Sequence, residues 1–297
     1  MKTKTSEQTG RRKPYFHFPL SIFHFQLIAA LFFAAPASAQ TVGVCSSIAN
    51  AVKIEEAGGA YLEGNVQKFL VPDRDDAEFE KNLASLKDSP IPMYAFNGFL
   101  PKEIVVTGEN ANPEAAIAWA AVAIPRAKKS GAKYIVFGSA ESRRLRDGFP
   151  KEKADEQFVA LLKEMGKIAA ENGITVVVEP LQYNECNYIN KVSEGLEIVE
   201  KTGHPNIMCL ADIYHMLAVG EDAGVLVDGV RSGKIVHVHV AELQDRAAPG
   251  THNDPNILPY YRALKEAGYK GGISIECRWK DFDTQIAPAI ANVTSNF

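Results

Sequence analysis

From Thr41 to Cys277 the chain alternates between short apolar runs rich in β-branched residues and longer stretches with helical periodicity. The runs are TVGVC (41–45), GAYLEG (59–64), IPMYAFNG (91–98), KYIVFGS (133–139), ITVVVEP (174–180), IMCLADI (207–213), IVHVHVA (235–241) and GGISIEC (271–277), each of strand length. Between them the pattern predicts helices over Asp75–Lys87, Pro113–Ser130, Lys151–Asn172, Ser193–Lys201, Ala223–Arg231 and Leu258–Ala267. Several stop just before a glycine (Gly131, Gly173, Gly203, Gly233, Gly268), where a left-handed cap turns the chain toward the next strand. Strand and helix in strict alternation imply an α/β fold with a parallel sheet. The expectation is a single (β/α)8 TIM barrel over residues 40–297. A doubly wound open sheet is the alternative, but it would not gather four strand ends around one centre.

Those strand ends carry the candidate chemistry. Glu179, Asp212, His239 and Glu276 lie at or near the carboxyl ends of four successive runs, the ends that converge on the mouth of a closed barrel. Three carboxylates and one imidazole form a mostly oxygen donor set, suited to one divalent ion, Mn2+ foremost, with Mg2+, Co2+ or Zn2+ also compatible. His237 shares a strand face with His239 by the period of two and is expected to pack beneath it. A single carboxylate at a strand end is often a surface or capping residue, so the inference rests on the set. Glu63 ends the second run and Asn97-Gly98-Phe99 follows the third, both at pocket-wall positions where Glu63 and Asn97 are candidate substrate contacts.

Composition narrows the picture. The 297 residues, 46% hydrophobic and 23% charged, suffice for one full core plus a leader and leave no length for a second domain. In the leader, Lys2, Lys4, Arg11, Arg12 and Lys13 precede an apolar stretch from about Phe16 to Ala35, and Ala37-Ser38-Ala39 has the small-x-small form of a cleavage site. Residues 1–39 are therefore expected to be a signal peptide. The protein would be exported to the periplasm or secreted, with no stable membrane association after cleavage. The net charge of -4 becomes more negative without this segment, which argues against nucleic acid as partner. A small or neutral substrate is expected, and a homo-oligomer is compatible with the chain. Cys45, Cys186, Cys209 and Cys277 show no metal or redox spacing and are read as small buried residues. Cys209 and Cys277 lie an odd number of residues from Asp212 and Glu276, so strand alternation should turn them away from the site. There is no nucleotide-binding glycine loop.

Local context adds a resemblance. Glu179-Pro180-Leu181-Gln182-Tyr183-Asn184-Glu185, Ala211-Asp212-Ile213-Tyr214-His215-Met216 and the H-x-H-x-x-E segment from His237 to Glu242 resemble motifs of the xylose isomerase-like TIM barrels. Within that family they are similar to the sugar isomerase/epimerase branch, which includes the D-tagatose and D-psicose 3-epimerases and hydroxypyruvate isomerase. The resemblance implies that Glu179, Asp212, His239 and Glu276 hold one divalent ion. It further implies that Glu179 and Glu276 exchange a proton next to a carbonyl through a metal-stabilised ene-diolate, and that Glu185, His215 and Arg246 contact substrate. Two departures stand out: Gln182-Tyr183 replaces the usual Asn-Arg, and AELQDR is one residue longer than the family's segment, shifting Arg246 by a position. Arg143, Arg144 and Arg146 in the loop after the fourth run are expected to form a solvated charged loop.

Two other outcomes share this site. With a 3-keto-glycoside the same proton abstraction can end in β-elimination, giving a lyase, and a non-catalytic barrel can keep the metal for sugar binding. An apurinic-site endonuclease shares the barrel but needs three zinc ions and a richer histidine set than the seven here, of which His17 and His24 fall in the leader. Export favours a free ketose, a cyclitol or an oxidised glycoside over a sugar phosphate.

Overall fold

The computed structural model describes residues 1–3, 10, 41–146 and 148–297. The expected signal peptide therefore lies outside the described residues apart from its first three and Gly10. Internal contacts divide the chain into Met1–Ser38 and Ala39–Phe297, and the second unit contains every strand and helix named below. No helix among the described residues is long and apolar enough to cross a membrane.

Eight parallel strands close into a barrel in chain order: β1 (Val42–Cys45), β2 (Tyr61–Asn65), β3 (Met93–Asn97), β4 (Tyr134–Phe137), β5 (Thr175–Val178), β6 (Ile207–Asp212), β7 (Ile235–Val240) and β8 (Gly272–Ile275), with β8 pairing back onto β1. Seven of them fall within the apolar runs of the sequence, and β2 extends one residue past its run, to Asn65. The helices are α1 (Ala51–Glu56), α2 (Asp76–Ala84), α3 (Pro113–Lys129), α4 (Ala140–Arg143), α5 (Lys151–Asn172), α6 (Val192–Thr202), α7 (Ile213–Val219), α8 (Gly224–Arg231), α9 (Leu258–Glu266) and α10 (Phe282–Asn296). The expected helices correspond to α2, α3, α5, α6, α8 and α9, and the five glycines that follow them have φ between +63° and +81°. The short α1, α4 and α7 and the terminal α10, which carries Pro288 in its interior, add to the pattern expected from sequence.

The strand period of two sorts the barrel into two cores. Ile135, Phe137, Val176, Val178, Cys209, Ala211, Val238, Val240, Ile273 and Ile275 face the helical layer and belong to the main hydrophobic cluster, whereas Val136, Val177 and Leu210 form a separate small cluster on the opposite, inward face. Cys209 lies on the outer side as expected, where a Cβ on Gly195 of α6 would come 2.9 Å from its sulfur. All four cysteines are free.

Aromatic rings plug the lower barrel. Tyr61 and Tyr94 have ring centroids 4.4 Å apart, Tyr94 and Tyr134 are 5.4 Å apart, and His237 stacks on Tyr134 at 5.5 Å. They fit because two neighbours have no side chain: a Cβ on Gly43 would sit 2.1 Å from the Tyr61 ring, and one on Gly272 would sit 2.6 Å from the Tyr61 hydroxyl. Gly43→Val should therefore overpack this layer and cost about 3 kcal/mol. In a domain of this size that is roughly a 5–10 °C fall in Tm. A melting curve within about 2 °C of the parent would contradict the packing account.

Candidate metal centre

One parity runs through the site. Glu179, Asp212, His239 and Glu276 are each two residues beyond an inward-facing residue (Val177, Leu210, His237 and Ser274), so all four side chains enter the barrel at its carboxyl end. One donor atom from each lies within 4.8 Å of all the others. His239 Nδ1 is 3.3 Å from Glu179 Oε1 and 3.4 Å from Glu276 Oε2. The grouping expected from the strand ends is the one the fold makes.

Three of the four donor atoms make no hydrogen bond, and the fourth, Glu276 Oε2, accepts from Arg246. Glu179 Oε1, Asp212 Oδ2 and His239 Nδ1 are buried and make no hydrogen bond. Such orphans are costly in a protein interior, and these three aim at one another. The other oxygen of Asp212 caps α7 by accepting from the Tyr214 N–H at 2.8 Å, which fixes the carboxylate and leaves Oδ2 toward the centre. Burial of three carboxylates around one point demands positive charge. The group directions agree. Burial pushes the Glu179 carboxyl up, with His239 opposing it. The Glu276 carboxyl, which burial alone would raise, is pulled down to about 2 by His239 and Arg246. Burial disfavours a charged His239, yet Glu63 and Glu276 drive its pKa well above the ordinary imidazole value. A divalent ion with oxygen and imidazole ligands fits this set.

Glu63 does something other than line a wall. Its side chain is fully buried, Oε1 accepts from His239 Nε2 at 2.9 Å, and Oε2 engages His237 Nε2 at 2.8 Å and accepts from the Ser274 hydroxyl at 2.7 Å. Expected as a substrate contact, it instead spends both oxygens on holding the two imidazoles. By occupying Nε2 it turns Nδ1 of His239 toward the carboxylates, the arrangement that fixes tautomer and ring angle in metal-bound histidines.

The remaining predicted residues surround the cluster. Asn97 donates through Nδ2 to Glu276 Oε1 at 3.0 Å. His215 is buried, accepts the Gln182 N–H on Nδ1 at 3.2 Å and leaves Nε2 unpartnered, 3.4 Å from Asp212 Oδ2. Arg246 donates to Glu276 Oε2 at 2.5 Å and Glu185 Oε1 at 3.3 Å, and its guanidinium lies 4.6 Å from the centroid of the Tyr214 ring. The extra residue before Arg246 does not displace it: Asp245 and Arg246 both take left-handed backbone, φ 61° and 50°, and this strained turn delivers the guanidinium to the mouth. Gln182, standing where the family has Asn, donates to the Tyr214 hydroxyl at 2.7 Å and to Glu185 Oε1 at 3.3 Å. Tyr183 points to solvent, 59% exposed.

The loop after β4 departs from expectation. Arg144 is half-buried, donating to the Glu185 carbonyl and pairing with Glu141 at 2.7 Å, and only Arg146 is exposed. Arg143 is fully buried, donating to the Gly138 carbonyl at 2.7 Å and the Glu179 carbonyl at 2.5 Å. It braces the strand ends on which Glu179 is mounted, so this part of the loop is packed rather than solvated. Gly138 is needed beside it, since a Cβ there would lie 2.3 Å from Glu179 Oε2. The local sequence offers no signal that separates Arg143 from the arginines that follow. Cys45, at the end of β1, also faces inward, close enough to Glu63 and His239 for one donor atom of each to lie within 4.8 Å of the others.

A cavity of about 480 Å3 opens on the β1–β3 side of the cluster, bounded there by Glu276, Asn97 and Cys45. On the opposite side Arg246 donates to Glu185, and Gln182 donates to Glu185 and Tyr214.

A family model described as xylose isomerase-like TIM barrel matches residues 51–294. The chain belongs to this family. Among curated proteins it resembles an inosose isomerase of Halalkalibacterium halodurans, 29% identical over 136 residues that cover 42% of this chain and 47% of that one. The chain spans less than half the length of such relatives. Among solved structures, a D-allulose 3-epimerase from Methylomonas sp. in complex with D-allulose superposes with a TM-score of 0.73 at 19% identity, covering 87% of this chain and 98% of the other. An IolI protein with a bound zinc atom superposes at 0.67 and 19%, covering 86% and 96%. At these identities the structural likeness establishes the barrel.

Proposed function

We propose that this protein is a divalent-metal-dependent isomerase or epimerase of a keto sugar, working by removal and return of a proton on the carbon next to a carbonyl. The observation that carries the reading is the pair of carboxylates Glu179 and Glu276, at the ends of β5 and β8, which approach the same imidazole nitrogen of His239 at 3.3 and 3.4 Å. A carbon between them has a carboxylate on either side. One can take a proton from one face while the other delivers a proton to the opposite face, and the result is inversion; return from the same side to the neighbouring carbon moves the carbonyl instead. A divalent ion held by Glu179, Asp212, His239 and Glu276, with Mn2+ as the proposed ion, supplies Lewis acidity to the carbonyl and adjacent hydroxyl.

The chain's own groups do the rest. Arg246 and Asn97 each engage a Glu276 oxygen, fixing that carboxylate from both sides. His215 accepts the Gln182 N–H on Nδ1, so its unpartnered Nε2 beside Asp212 carries the hydrogen and is a donor for a substrate hydroxyl. The names of the relatives, an inosose isomerase and ketose 3-epimerases among them, support carbonyl-bearing polyols as the substrate class. The leader read in residues 1–39 supports a site of action outside the cytoplasm and hence an unphosphorylated substrate.

The test is exchange with solvent. The protein loaded with Mn2+ in D2O should place deuterium next to the carbonyl of a keto sugar, followed by NMR. Chelation with EDTA should abolish exchange, and restored Mn2+ should return it. The ion should also raise Tm, since a ligand at about 100 times its Kd adds about 2.7 kcal/mol. Exchange that persists unchanged after chelation, or an ion with no effect on Tm, would contradict the proposal.

A further inference from the structure

A chain of side-chain amides ties Glu276 to the segment that follows β2. Asn65, the last residue of β2, accepts the Lys68 N–H on Oδ1 at 3.1 Å and so caps a single π-helical turn, Val66–Leu70. Its Nδ2 donates to Asn97 Oδ1 at 3.3 Å, and Asn97 Nδ2 donates to Glu276 Oε1 at 3.0 Å. Asn65 and Asn97 are register partners on β2 and β3, and both border the open cavity with Glu276.

The direction of this chain is set where it starts. A peptide N–H can only donate, so Asn65 turns Oδ1 toward Lys68 and Nδ2 toward Asn97. Asn97 must then present Oδ1 to Asn65 and Nδ2 to Glu276. The start is itself held in place. Val71 closes the π turn in left-handed backbone at φ 43°, a strained conformation for a β-branched residue. Buried Arg126 of α3 grips that turn, donating to the Leu70 and Val71 carbonyls at 2.8 and 2.5 Å. Gln67 donates to the Gly98 carbonyl at 2.8 Å, and a Cβ on Gly98, where φ is 62°, would lie 2.2 Å from Asn65 Nδ2. The two loops are thus pressed together where the amides meet.

We propose that Asn65 is a positioning residue for the reaction: it orients the Asn97 amide so that an N–H faces Glu276 and holds that carboxylate in place. The inference rests on the carbon-acid reading of the site, and it adds a residue that acts only through Asn97. Arg246 fixes the other oxygen of Glu276, so the amide chain completes the restraint on the carboxylate.

Reversing the chain tests this. Asn65→Asp keeps an oxygen for the Lys68 N–H, but its second oxygen is an acceptor facing Asn97. Whichever way the Asn97 amide then turns, two acceptors meet, at residue 65 or at Glu276. Glu276→Gln has the opposite fault, because Arg246 and Asn97 both donate to it. Combined, the two substitutions match: Asn97 donates to Asp at 65 and accepts from the amide at 276. Melting curves in EDTA, where ion affinity does not enter, should show Asn65→Asp lowering Tm by about 3 °C in the parent and raising it in Glu276→Gln. In the Mn2+-loaded protein, with D-psicose as probe in D2O, Asn65→Asp should lower kcat for deuterium incorporation by about tenfold or more, with KM within about threefold. Asn65→Ser also caps the turn but cannot reverse the amide, and should lose less. A merely structural role predicts the opposite order, since aspartate is the closer match to asparagine in shape. A Tm fall in both backgrounds, or Asn65→Asp no slower than Asn65→Ser, overturns the inference and leaves the isomerase reading intact. Absence of exchange in the parent, with melting shifts of opposite sign, overturns the carbon-acid reading while the orienting role of Asn65 stands.

Discussion

Glu276→Gln and Glu179→Gln are each expected to lower turnover by about 1,000-fold or more at saturating Mn2+ while leaving a folded barrel. A positioned acid or base contributes roughly 100- to 10,000-fold, and glutamine keeps the shape of glutamate but cannot take up the proton. Either change also removes a negative ligand, so weaker ion binding and lost proton transfer must be separated. Titrating Mn2+ by calorimetry does this: once the ion is saturating, the remaining deficit in deuterium exchange belongs to the proton step. The two variants should differ in stability. Burial raises the Glu179 carboxyl, so its ionised form is disfavoured where it sits, and an amide there relieves repulsion with Glu276. Glu276 accepts from both Asn97 and Arg246, and an amide has only one oxygen for the two donors. Glu179→Gln should therefore melt at or above the parent and Glu276→Gln a few degrees below it. Retention of more than a tenth of the parent's exchange in either variant, at saturating ion, would sink the assignment of the pair.

Much of this site is legible along the chain because the barrel converts a one-dimensional rule into a three-dimensional one. A strand alternates faces every residue, and successive parallel strands deliver their carboxyl ends to one mouth. Glu179, Asp212, His239 and Glu276 each need only their parity and their place at a strand end to be gathered, and both are local properties. The eight strands are equally local, since β-branched runs such as Val176–Val178 have no other good use between a glycine-capped helix and a loop.

What was not legible depends on contacts between distant segments. Glu63 is 174 residues from His237 and meets it across the barrel interior, a relation no spacing along the chain encodes. It has the inward parity of the four ligands but lies in the middle of β2, below the strand ends, and pattern alone cannot say that its oxygens are taken by imidazoles. Arg143 reads as one basic residue in a basic loop. Its burial follows from two main-chain carbonyls, of Gly138 and Glu179, that the ends of β4 and β5 leave without strand partners. α10 was not among the expected helices, and its internal Pro288 does not account for that, since α3 was legible with Pro125 in its interior.

Glu63→Gln is expected to weaken Mn2+ binding by about 10- to 100-fold although Glu63 is not one of the four ligands. Its carboxylate presents acceptors to His237 Nε2, His239 Nε2 and the Ser274 hydroxyl at 2.8, 2.9 and 2.7 Å. Burial opposes its ionisation, but His239 and then His237 more than compensate and hold the carboxyl below the usual carboxylate range. An amide turns one of those oxygens into an N–H2 group, which faces an imidazole nitrogen that is itself a donor. One ring must rotate or change tautomer. If it is His239, Nδ1 no longer points at Glu179 and Glu276, and the coordinating geometry is lost with no change in any ligand's identity. Removing one member of a buried, hydrogen-bonded charge pair also costs about 3–5 kcal/mol, so Tm should fall together with affinity. The discriminating comparison is His237→Phe, which removes the lower partner of Glu63 but leaves its bond to His239. That variant should lose stability and keep most of its Mn2+ affinity, whereas a Kd within threefold of the parent in Glu63→Gln itself would show that the carboxylate does not position the ligand.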